Sequence, residues 1–271
     1  MSTRYEDLQA LHHITPTNPV VFDRRIYNVD DTIHWHENIE ILYFFGGECE
    51  VLNGDEILHA KKGDIIVLNS GCVHSVMCKN SKAEFACIII DHLFCESLGF
   101  SVSDAQFTKC FQDAEMAALI EKIVNEPKDN ELFSQTISVS TLSILLLLFK
   151  NYKTEEAKEY LNSGKTELVK TIIKYIKRHY AERIMMDDIE KHCGYSKYYL
   201  SRVFKETCQK TIMGYLNEVR INKAKELLEK TDLDIKTVAE RCGFECQSYF
   251  GKVFKKSEGY SPLNFRNFKE N

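Results

Sequence analysis

Prolines, glycines and long apolar runs are all scarce in this sequence. Only four prolines and twelve glycines occur among its 271 residues, which excludes a collagen-like repeat and a Pro/Gly-rich tail. No uninterrupted apolar run exceeds six residues, as at 144–149, whereas a membrane-spanning helix needs about 20. The first 18 residues lack the apolar core of a secretory signal. We therefore expect a cytoplasmic protein that has no membrane partner.

Cysteine motifs are missing as well. The ten cysteines include no C-x-x-C pair and no set with zinc-finger spacing. Without an export signal, we expect reduced thiols that pack as small apolar side chains. A cysteine-based metal or redox site is the alternative.

The net charge of −5 conceals two halves of opposite sign. Residues 1–163 hold 13 Lys and Arg against 25 Asp and Glu, a net −12, and residues 164–271 hold 22 against 15, a net +7. A split of this kind is typical of a protein in which one half binds a polyanion and the other does not. The charge alone does not identify the polyanion.

The region from about 20 to 92 has the pattern of short strands separated by tight turns. Apolar stretches at 40–45 and 48–52 stand on either side of Gly46-Gly47, and Asn53-Gly54 is a strong hairpin signal. So many short strands in a short stretch predict a small antiparallel barrel or jelly roll. Further strands are predicted at 56–60, 65–68, 73–78 and 84–90.

From about 104 the period of the apolar residues becomes helical. We predict an amphipathic helix over 112–125, ended by Pro127, and a second helix over 130–152 that is apolar on much of its circumference. A helix of that kind must be covered on more than one side. Either a subunit interface or packing under the barrel would cover it, and the sequence does not choose between them. Residues 153–165 are predicted to be a linker.

The part of the chain after 166 is helical, basic and internally duplicated. The tripeptide Cys-Gly-Tyr at 193–195 recurs as Cys-Gly-Phe at 242–244, and Val-Phe-Lys at 203–205 recurs at 253–255. The offset is 49 residues at the glycines and 50 at the Val-Phe-Lys. Two copies indicate a duplicated unit rather than a solenoid.

Each copy combines a short amphipathic helix, a turn at glycine and a second helix that carries basic residues. In the second copy, Ala239 lies four residues before Gly243, where a small side chain lets two helices cross closely and glycine permits the turn. The second helix of such a unit fits the major groove of DNA. A helix predicted over 212–230 would be about 28 Å long, close to the ~34 Å between successive major grooves. A basic helical module that binds another partner is the alternative.

Three further stretches of the C-terminal half form a specific signature. They are 233–244 (LDIKTVAERCGF) with Gln247, Ser248, Tyr249, Phe250 and 254–256, then 259–262 (GYSP) with Phe265 and Arg266, and 220–224 (RINKA) with Leu227 and Leu228. Through these stretches, residues 166–268 resemble the DNA-binding domain of the AraC/XylS family along their whole length. The resemblance implies that the second helix of each copy inserts into the major groove. In the first copy, Glu190 stands where the family has a small residue and Cys208 where it has a glycine.

The resemblance also implies which side chains face DNA. Arg202 would pair with guanine and Gln247 with adenine, while the lysines position the protein on the phosphate backbone. The core of the two helices is predicted to be Leu200, Val203, Phe204, Phe250, Val253 and Phe254. The predicted DNA-binding residues are Lys197, Tyr198, Ser201, Arg202 and Lys205 in the first motif and Gln247, Ser248, Gly251, Lys252, Lys255 and Lys256 in the second.

Three histidines and a glutamate in the first half have the spacing of a metal or ligand site. His34 and His36 are two residues apart, so they face the same side of a strand, and Glu40 is a further even step away. With His74 from a later strand, this set resembles the cupin pattern. In metal-binding cupins the matching residues hold iron, manganese or zinc in a site of nitrogen and oxygen ligands.

The fusion to an AraC-type DNA-binding domain favours another use of this set. Barrels in such regulators resemble effector sensors, whose usual ligand is a small polar molecule, often a sugar, bound without a metal. We therefore predict no cofactor, with a divalent metal as the alternative. Asn69 and Cys78 also depart from the cupin pattern, which has proline and asparagine there. The predicted effector-binding residues are Arg24, His34, His36, Glu40, Tyr43 and His74.

These patterns predict a multidomain protein with an N-terminal β jelly-roll or cupin barrel, flanking helices, and a C-terminal all-α domain with two helix-turn-helix motifs. We expect a homodimeric, DNA-binding transcriptional activator that responds to a small effector, contacts RNA polymerase and is not an enzyme. A metal-dependent cupin oxygenase or isomerase and an effector-independent DNA-binding protein are the alternatives. The predicted domains are a barrel over 1–103, a helical dimerisation segment over 104–152, the linker over 153–165 and the DNA-binding domain over 166–271.

Overall fold

The structure, a computed structural model, describes residues 20–27, 32–78, 82–154 and 164–270. The chain divides into an N-terminal unit, Met1–Ser163, and a C-terminal unit, Gly164–Asn271. The elements of the N-terminal unit are β1 (Val20–Tyr27), β2 (Ile39–Asn53), β3 (Glu56–Lys61), β4 (Ile65–Leu68), β5 (His74–Met77), β6 (Ala83–Ile90), α1 (His92–Ser97), β7 (Gln106–Phe107), β8 (Cys110–Phe111), α2 (Ala114–Asn125), α3 (Phe133–Leu147), a π-helical turn (Leu148–Tyr152) and β9 (Lys153–Thr154).

The long strand β2 has two sets of antiparallel partners. Its first part pairs with β4 and β6, and its last part pairs with β3 and β5. The prediction of two strands separated by Gly46-Gly47 is wrong, because the strand continues through a bulge between Phe44 and Gly46, where its register with β6 shifts. A bulge bends and twists a strand, so β2 can pair with β4 near its start and with β3 and β5 near its end. The predicted hairpin at Asn53-Gly54 is confirmed, since Asn53 pairs with Glu56.

Alternate residues of β2 face two different cores. Leu42 and Phe44 lie in a buried cluster between the paired strands. Ile41 lies in a second cluster on the opposite face of the sheet, together with Ile120 of α2 and Ile144 of α3. Because side chains alternate along a strand, the sheet is buried on both faces. One side of the predicted helical segment therefore packs against the barrel.

The segment formed by α3 and the π-helical turn is the most apolar helical part of this unit. The sequence predicted one helix over 130–152, whereas α3 gives way to the π-helical turn, and β9 then pairs with β7. By length and composition, Phe133–Tyr152 is apolar enough to cross a membrane, but the core helix of a globular domain meets the same criterion. Ile144 and Leu145 are fully buried against the sheet and α2. Of the predicted linker over 153–165, Lys153–Thr154 form β9 and residues 164–165 begin the helix Gly164–His179. Residues 155–163 lie outside the described residues.

The described part of the C-terminal unit is helical. The predicted helix over 212–230 is confirmed, and the first helix of the second motif spans Ile235–Arg241, directly before the predicted turn at glycine. The helices are α4 (Gly164–His179), α5 (Met186–Cys193), α6 (Lys197–Cys208), α7 (Ile212–Lys230), α8 (Ile235–Arg241), α9 (Gln247–Glu258) and α10 (Pro262–Glu270).

Helix α7 is shared by the two helix-turn-helix motifs, α5 with α6 and α8 with α9. Near its start, Tyr215 is fully buried, and its ring centroid lies 5.7 Å from that of Phe204 in α6. Further along, Ile221, Ala224 and Leu228 pack into the cluster formed by α8 and α9. One helix therefore supplies part of the core of both motifs.

Candidate DNA interface and effector site

The second helix of each motif, α6 and α9, has one buried and one exposed stripe. Leu200, Phe204, Phe250 and Phe254 are fully buried, while Val253 is partly buried. A polar stripe over an apolar one suits a helix that packs on its domain and enters the major groove. The predicted DNA-facing residues lie on the other stripe, with Lys197, Tyr198, Ser201, Arg202, Lys205, Gln247, Ser248, Lys252, Lys255 and Lys256 exposed and Gly251 half-buried.

The two exposed stripes differ in their local charge. Lys197 forms an ion pair with Asp187 of α5, which holds the pKa of the lysine above its ordinary value. The Nε atom of Arg202 lies 3.8 Å from a carboxylate oxygen of Glu206. Neither Asp187 nor Glu206 was among the residues that the sequence predicted to face DNA. Among the residues that the structure describes, no carboxylate forms an ion pair with Lys252, Lys255 or Lys256 of α9.

The position that lacks a glycine in the first motif is not the predicted one. The left-handed residue after α6 is Gln209, with a φ of 54°, and its counterpart after α9 is Gly259, with a φ of 85°. Cys208 is instead buried in the last turn of α6. A side chain in this backbone region costs about 1–2 kcal/mol. Glu190 is half-buried where the second motif has the fully buried Ala239.

Four side chains of the N-terminal unit converge as their spacing predicted. His34 and His74 exchange backbone hydrogen bonds of 3.0 and 2.9 Å. The Nε2 atoms of His36 and His74 lie 3.0 and 3.4 Å from Oε2 of Glu40. One possible ligand atom of each residue lies within 4.8 Å of the others. We call these residues, His34, His36, Glu40 and His74, the His/Glu cluster.

Backbone carbonyls orient all three imidazoles of the cluster. Because a carbonyl only accepts hydrogen bonds, each Nδ1 carries the proton, and a neutral ring keeps its lone pair on Nε2. The contacts are His34 with the carbonyl of Thr32 at 2.7 Å, His36 with that of Asn38 at 3.1 Å and His74 with that of Cys72 at 2.9 Å.

Glu40 is fully buried within the cluster. Burial alone would raise the pKa of its carboxyl group, but hydrogen bonds and positive charge from His36 and His74 hold that pKa well below its usual value. Its Oε1 accepts a hydrogen bond from the Cys87 thiol at 3.2 Å. Cys87 lies on β6, and the pairing of β6 with β2 brings its thiol to Glu40. This residue was not predicted, because the register between two strands cannot be read from residue spacing.

The donor set of the His/Glu cluster fits a divalent cation. Three imidazole nitrogens and one carboxylate oxygen are ligands that iron, manganese and zinc accept. A carbonyl on the second ring nitrogen is the usual support of a metal-binding histidine. The buried carboxylate of Glu40 also needs a positive charge opposite it, which protonated imidazoles or a cation can supply. The same groups can hydrogen-bond a small polar ligand, because imidazoles donate or accept hydrogen bonds and an ionised carboxylate accepts them.

Two predicted effector residues are not part of this cluster. Tyr43 is an odd number of residues from Glu40 and therefore faces the opposite side of β2. Its hydroxyl donates to a carboxylate oxygen of Glu121 in α2 at 3.3 Å. The prediction that Tyr43 shares a site with the histidines is therefore wrong. Arg24 lies on β1 opposite Ala86, but its side chain is outside the described part of the structure.

Two domain models match the chain in the order of its two units. An AraC-like ligand binding domain matches residues 24–137, and a helix-turn-helix domain matches residues 189–267. The chain belongs to the AraC family of transcriptional regulators. In this AraC-family regulator the N-terminal unit is the ligand-binding domain and the C-terminal unit is the DNA-binding domain. The predicted fold class and the predicted DNA-binding regulatory function are confirmed.

Relatives of this AraC-family regulator support the same assignment. The transcriptional activator RhaR of Mannheimia succiniciproducens is 23% identical over 273 residues, which cover 96% of each chain. The arabinose operon regulatory protein of Escherichia coli strain K12 is 30% identical over 151 residues, 56% of this chain and 50% of that protein. The crystal structure of ToxT from Vibrio cholerae O395 matches with a TM-score of 0.52 and 14% identity over 92% of this chain and 97% of that one. At that identity the likeness shows the fold alone.

Proposed function

We propose that this regulator reads DNA with α6 and α9 placed in two successive major grooves. The observation that carries the proposal is the exposed polar stripe on each of these helices, set over a buried apolar stripe. The 19 residues of α7 span about 28 Å between the motifs, nearly one helical turn of DNA. The net +7 of residues 164–271 favours binding to a polyanion.

Selection from a random pool of duplex DNA tests this reading. We expect the full-length protein to enrich a bipartite site whose halves lie one helical turn apart, about 10 base pairs. The affinity for that site should fall steeply as salt rises, because phosphate contacts release counterions. Enrichment of no sequence, or binding that is insensitive to salt, would contradict the proposal.

The His/Glu cluster is the proposed binding site of the effector, a small polar molecule such as a sugar. The match to an AraC-like ligand binding domain and the relative that regulates an arabinose operon support this class of ligand. The relative that is named an activator supports activation, which we propose to work through contact with RNA polymerase. In this proposal the protein is cytoplasmic and does not transform its ligand chemically.

A divalent metal ion is the second candidate for the cluster. The observation that favours it is the set of three imidazoles whose Nδ1 atoms all donate to carbonyls, because each ring in its neutral form then offers its Nε2 lone pair beside the Glu40 carboxylate. The ion would be held by His34, His36, Glu40 and His74. It would supply positive charge opposite Glu40 and a centre that binds oxygen atoms of an effector.

Elemental analysis of the purified full-length protein separates the two candidates. The test variant is His34→Ala with His74→Ala, and the control is His59→Ala with His179→Ala, which removes two histidines outside the cluster. We expect elemental analysis to find no metal. We also expect a sugar to raise the melting temperature of the wild type and the control but not that of the test variant. Near-stoichiometric metal that only the test variant loses would establish the metal instead.

Homodimerisation is proposed to use the outer face of α3. From Phe133 to Leu147 this helix contains no charged residue. An uncharged apolar stripe can meet a copy of itself, as a twofold interface requires. The spacing of seven, three and four residues puts the large exposed side chains on one stripe. They are Leu132, Val139, Leu142 and Leu146, with exposed fractions of 61%, 63%, 37% and 54%.

Light scattering after size-exclusion chromatography tests the interface. The variant Val139→Glu with Leu146→Glu should be a monomer, because two carboxylates per copy would be buried without partners. The control is Leu93→Glu on α1, where the side chain is 62% exposed, and it should remain a dimer. A monomeric wild type, or a dimeric double variant, would contradict the proposal.

A further inference from the structure

Arg220 lies in the middle of α7, where the two motifs meet, and only 8% of it is exposed. Its Nε donates to the carbonyl of Tyr180 at 2.8 Å, and its Nη2 donates to the carbonyl of Glu182 at 2.7 Å. Both carbonyls belong to the loop between α4 and α5, which leads into the first motif. Hydrogen bonds from a charged donor are stronger than neutral ones, and the planar guanidinium can serve both carbonyls at once.

The same guanidinium also contacts the second motif. Its Cζ lies 5.6 Å from the ring centroid of Phe244, a distance at which a cation is attracted to an aromatic face. Phe244 directly follows the turn of the second motif and is buried in the core of α8 and α9. Arg220 therefore joins the loop of the first motif to the turn of the second.

The turn of the second motif lies directly against that loop. A Cβ atom on Gly243 would be 2.5 Å from the carbonyl oxygen of Tyr180, closer than any real contact. Tyr180 is thus held between Arg220 of α7 and the turn at Gly243. The exposed ion pair of Arg183 with Glu245, at 3.0 Å, lies at the same junction, but a surface pair contributes little.

We propose that Arg220 is the positioning residue that fixes the separation and rotation of α6 relative to α9, and with them the spacing between the two halves of the DNA site. The inference rests on the bipartite reading of DNA proposed above. One added base pair moves a half-site by ~3.4 Å and turns it by roughly 35°. Two helices held at a rigid junction cannot follow that change, whereas two helices joined only by α7 can do so in part.

The experiment compares affinities for the duplex that the wild type selects and for the same duplex with one base pair inserted or deleted between its halves. We expect the wild type to lose about tenfold or more on the altered spacing and Arg220→Ala to lose less than about threefold. Arg220→Lys should lie between them, because an ammonium group cannot serve two carbonyls and a ring in the same way. Arg183→Ala is the control at the same junction and should keep the wild-type ratio.

The ratio of the two affinities separates positioning from general destabilisation. A smaller folded fraction lowers both affinities by the same factor and leaves the ratio unchanged. Circular dichroism establishes which of the two variants at 220 are folded. The inference is overturned if every folded variant at 220 keeps the wild-type ratio. Failure of the wild type to select any bipartite site would instead contradict the proposed DNA reading, so the two failures are distinguishable.

Discussion

The two helix-turn-helix motifs share their elements and much of their buried apolar core, but they differ in the charges beside their exposed stripes and in the contacts of their turns. In the first motif Lys197 and Arg202 lie beside acids of the same motif, whereas the lysines of α9 have no such partners in the described residues. The turn glycine of the second motif lies against a neighbouring loop, while a Cβ on Gly194 of the first would meet nothing within 4 Å. The duplicated motif has therefore kept most of its apolar core, while the charges beside its exposed stripe and the neighbours of its turn glycine have diverged. We therefore expect the lysines of the second motif to bind DNA phosphates more strongly than those of the first.

The largest expected difference between the motifs concerns their turn glycines. Gly194 and Gly243 both have a positive φ, of 74° and 78°, but only Gly243 lies against a backbone carbonyl. We expect Gly194→Ala to cost about 1 kcal/mol of unfolding free energy and Gly243→Ala about 3 kcal/mol or more. Urea denaturation followed by circular dichroism at 222 nm measures both, because this signal is dominated by the helical C-terminal unit. Equal losses would show that the contact with Tyr180 does not constrain the turn.

The next effect separates the equivalent positions Arg202 and Lys252. Arg202→Ala should cost about 1–3 kcal/mol of binding and relax discrimination at one base pair. Lys252→Ala should weaken binding to all sequences alike, because a lysine on phosphate carries no sequence information. Competition among single-base variants of the selected duplex provides the measurement. A uniform loss for Arg202→Ala would make that residue a phosphate contact instead.

A smaller effect concerns the salt dependence of DNA binding. Lys255→Ala with Lys256→Ala should lower the slope of log affinity against log salt by about 2. Lys197→Ala should lower it by less than about 1, because Asp187 already neutralises part of this charge. Titrations between ~50 and ~200 mM salt measure the slopes. An equal reduction per lysine in the two motifs would remove the proposed electrostatic difference.

The smallest effect tests the ends of α6 and α9. Gln209→Gly should stabilise the protein by about 1 kcal/mol, because glycine adopts a positive φ without a steric penalty. The reverse change, Gly259→Ala, should destabilise it by about the same amount, since a Cβ there would meet nothing within 4 Å. Urea denaturation of each full-length variant measures the change. A loss of stability in Gln209→Gly would mean that the hydrogen bond from the Gln209 side chain to the carbonyl of Glu206, at 3.0 Å, outweighs the backbone strain.

Local signals were sufficient for much of the fold. The bounds of α7 and the hairpin at Asn53-Gly54 follow from helical periodicity and turn chemistry, which act over a few neighbouring residues. The even spacing of His34, His36 and Glu40 predicted that they share a face. The same rule places Tyr43, three residues from Glu40, on the opposite face.

By itself, the sequence determined the order of the two domains, the duplicated motif, the exposed stripes of α6 and α9 and the four members of the His/Glu cluster. Only the tertiary structure showed that the Cys87 thiol donates to Glu40 and that Asp187 pairs with Lys197. It alone also showed that Arg220 contacts both Tyr180 and Phe244. Periodicity and turn residues are properties of adjacent positions, so they can be read along the chain. Strand register and helix docking result from many weak contacts between distant positions, and the residues that meet there have no spacing that marks them as partners.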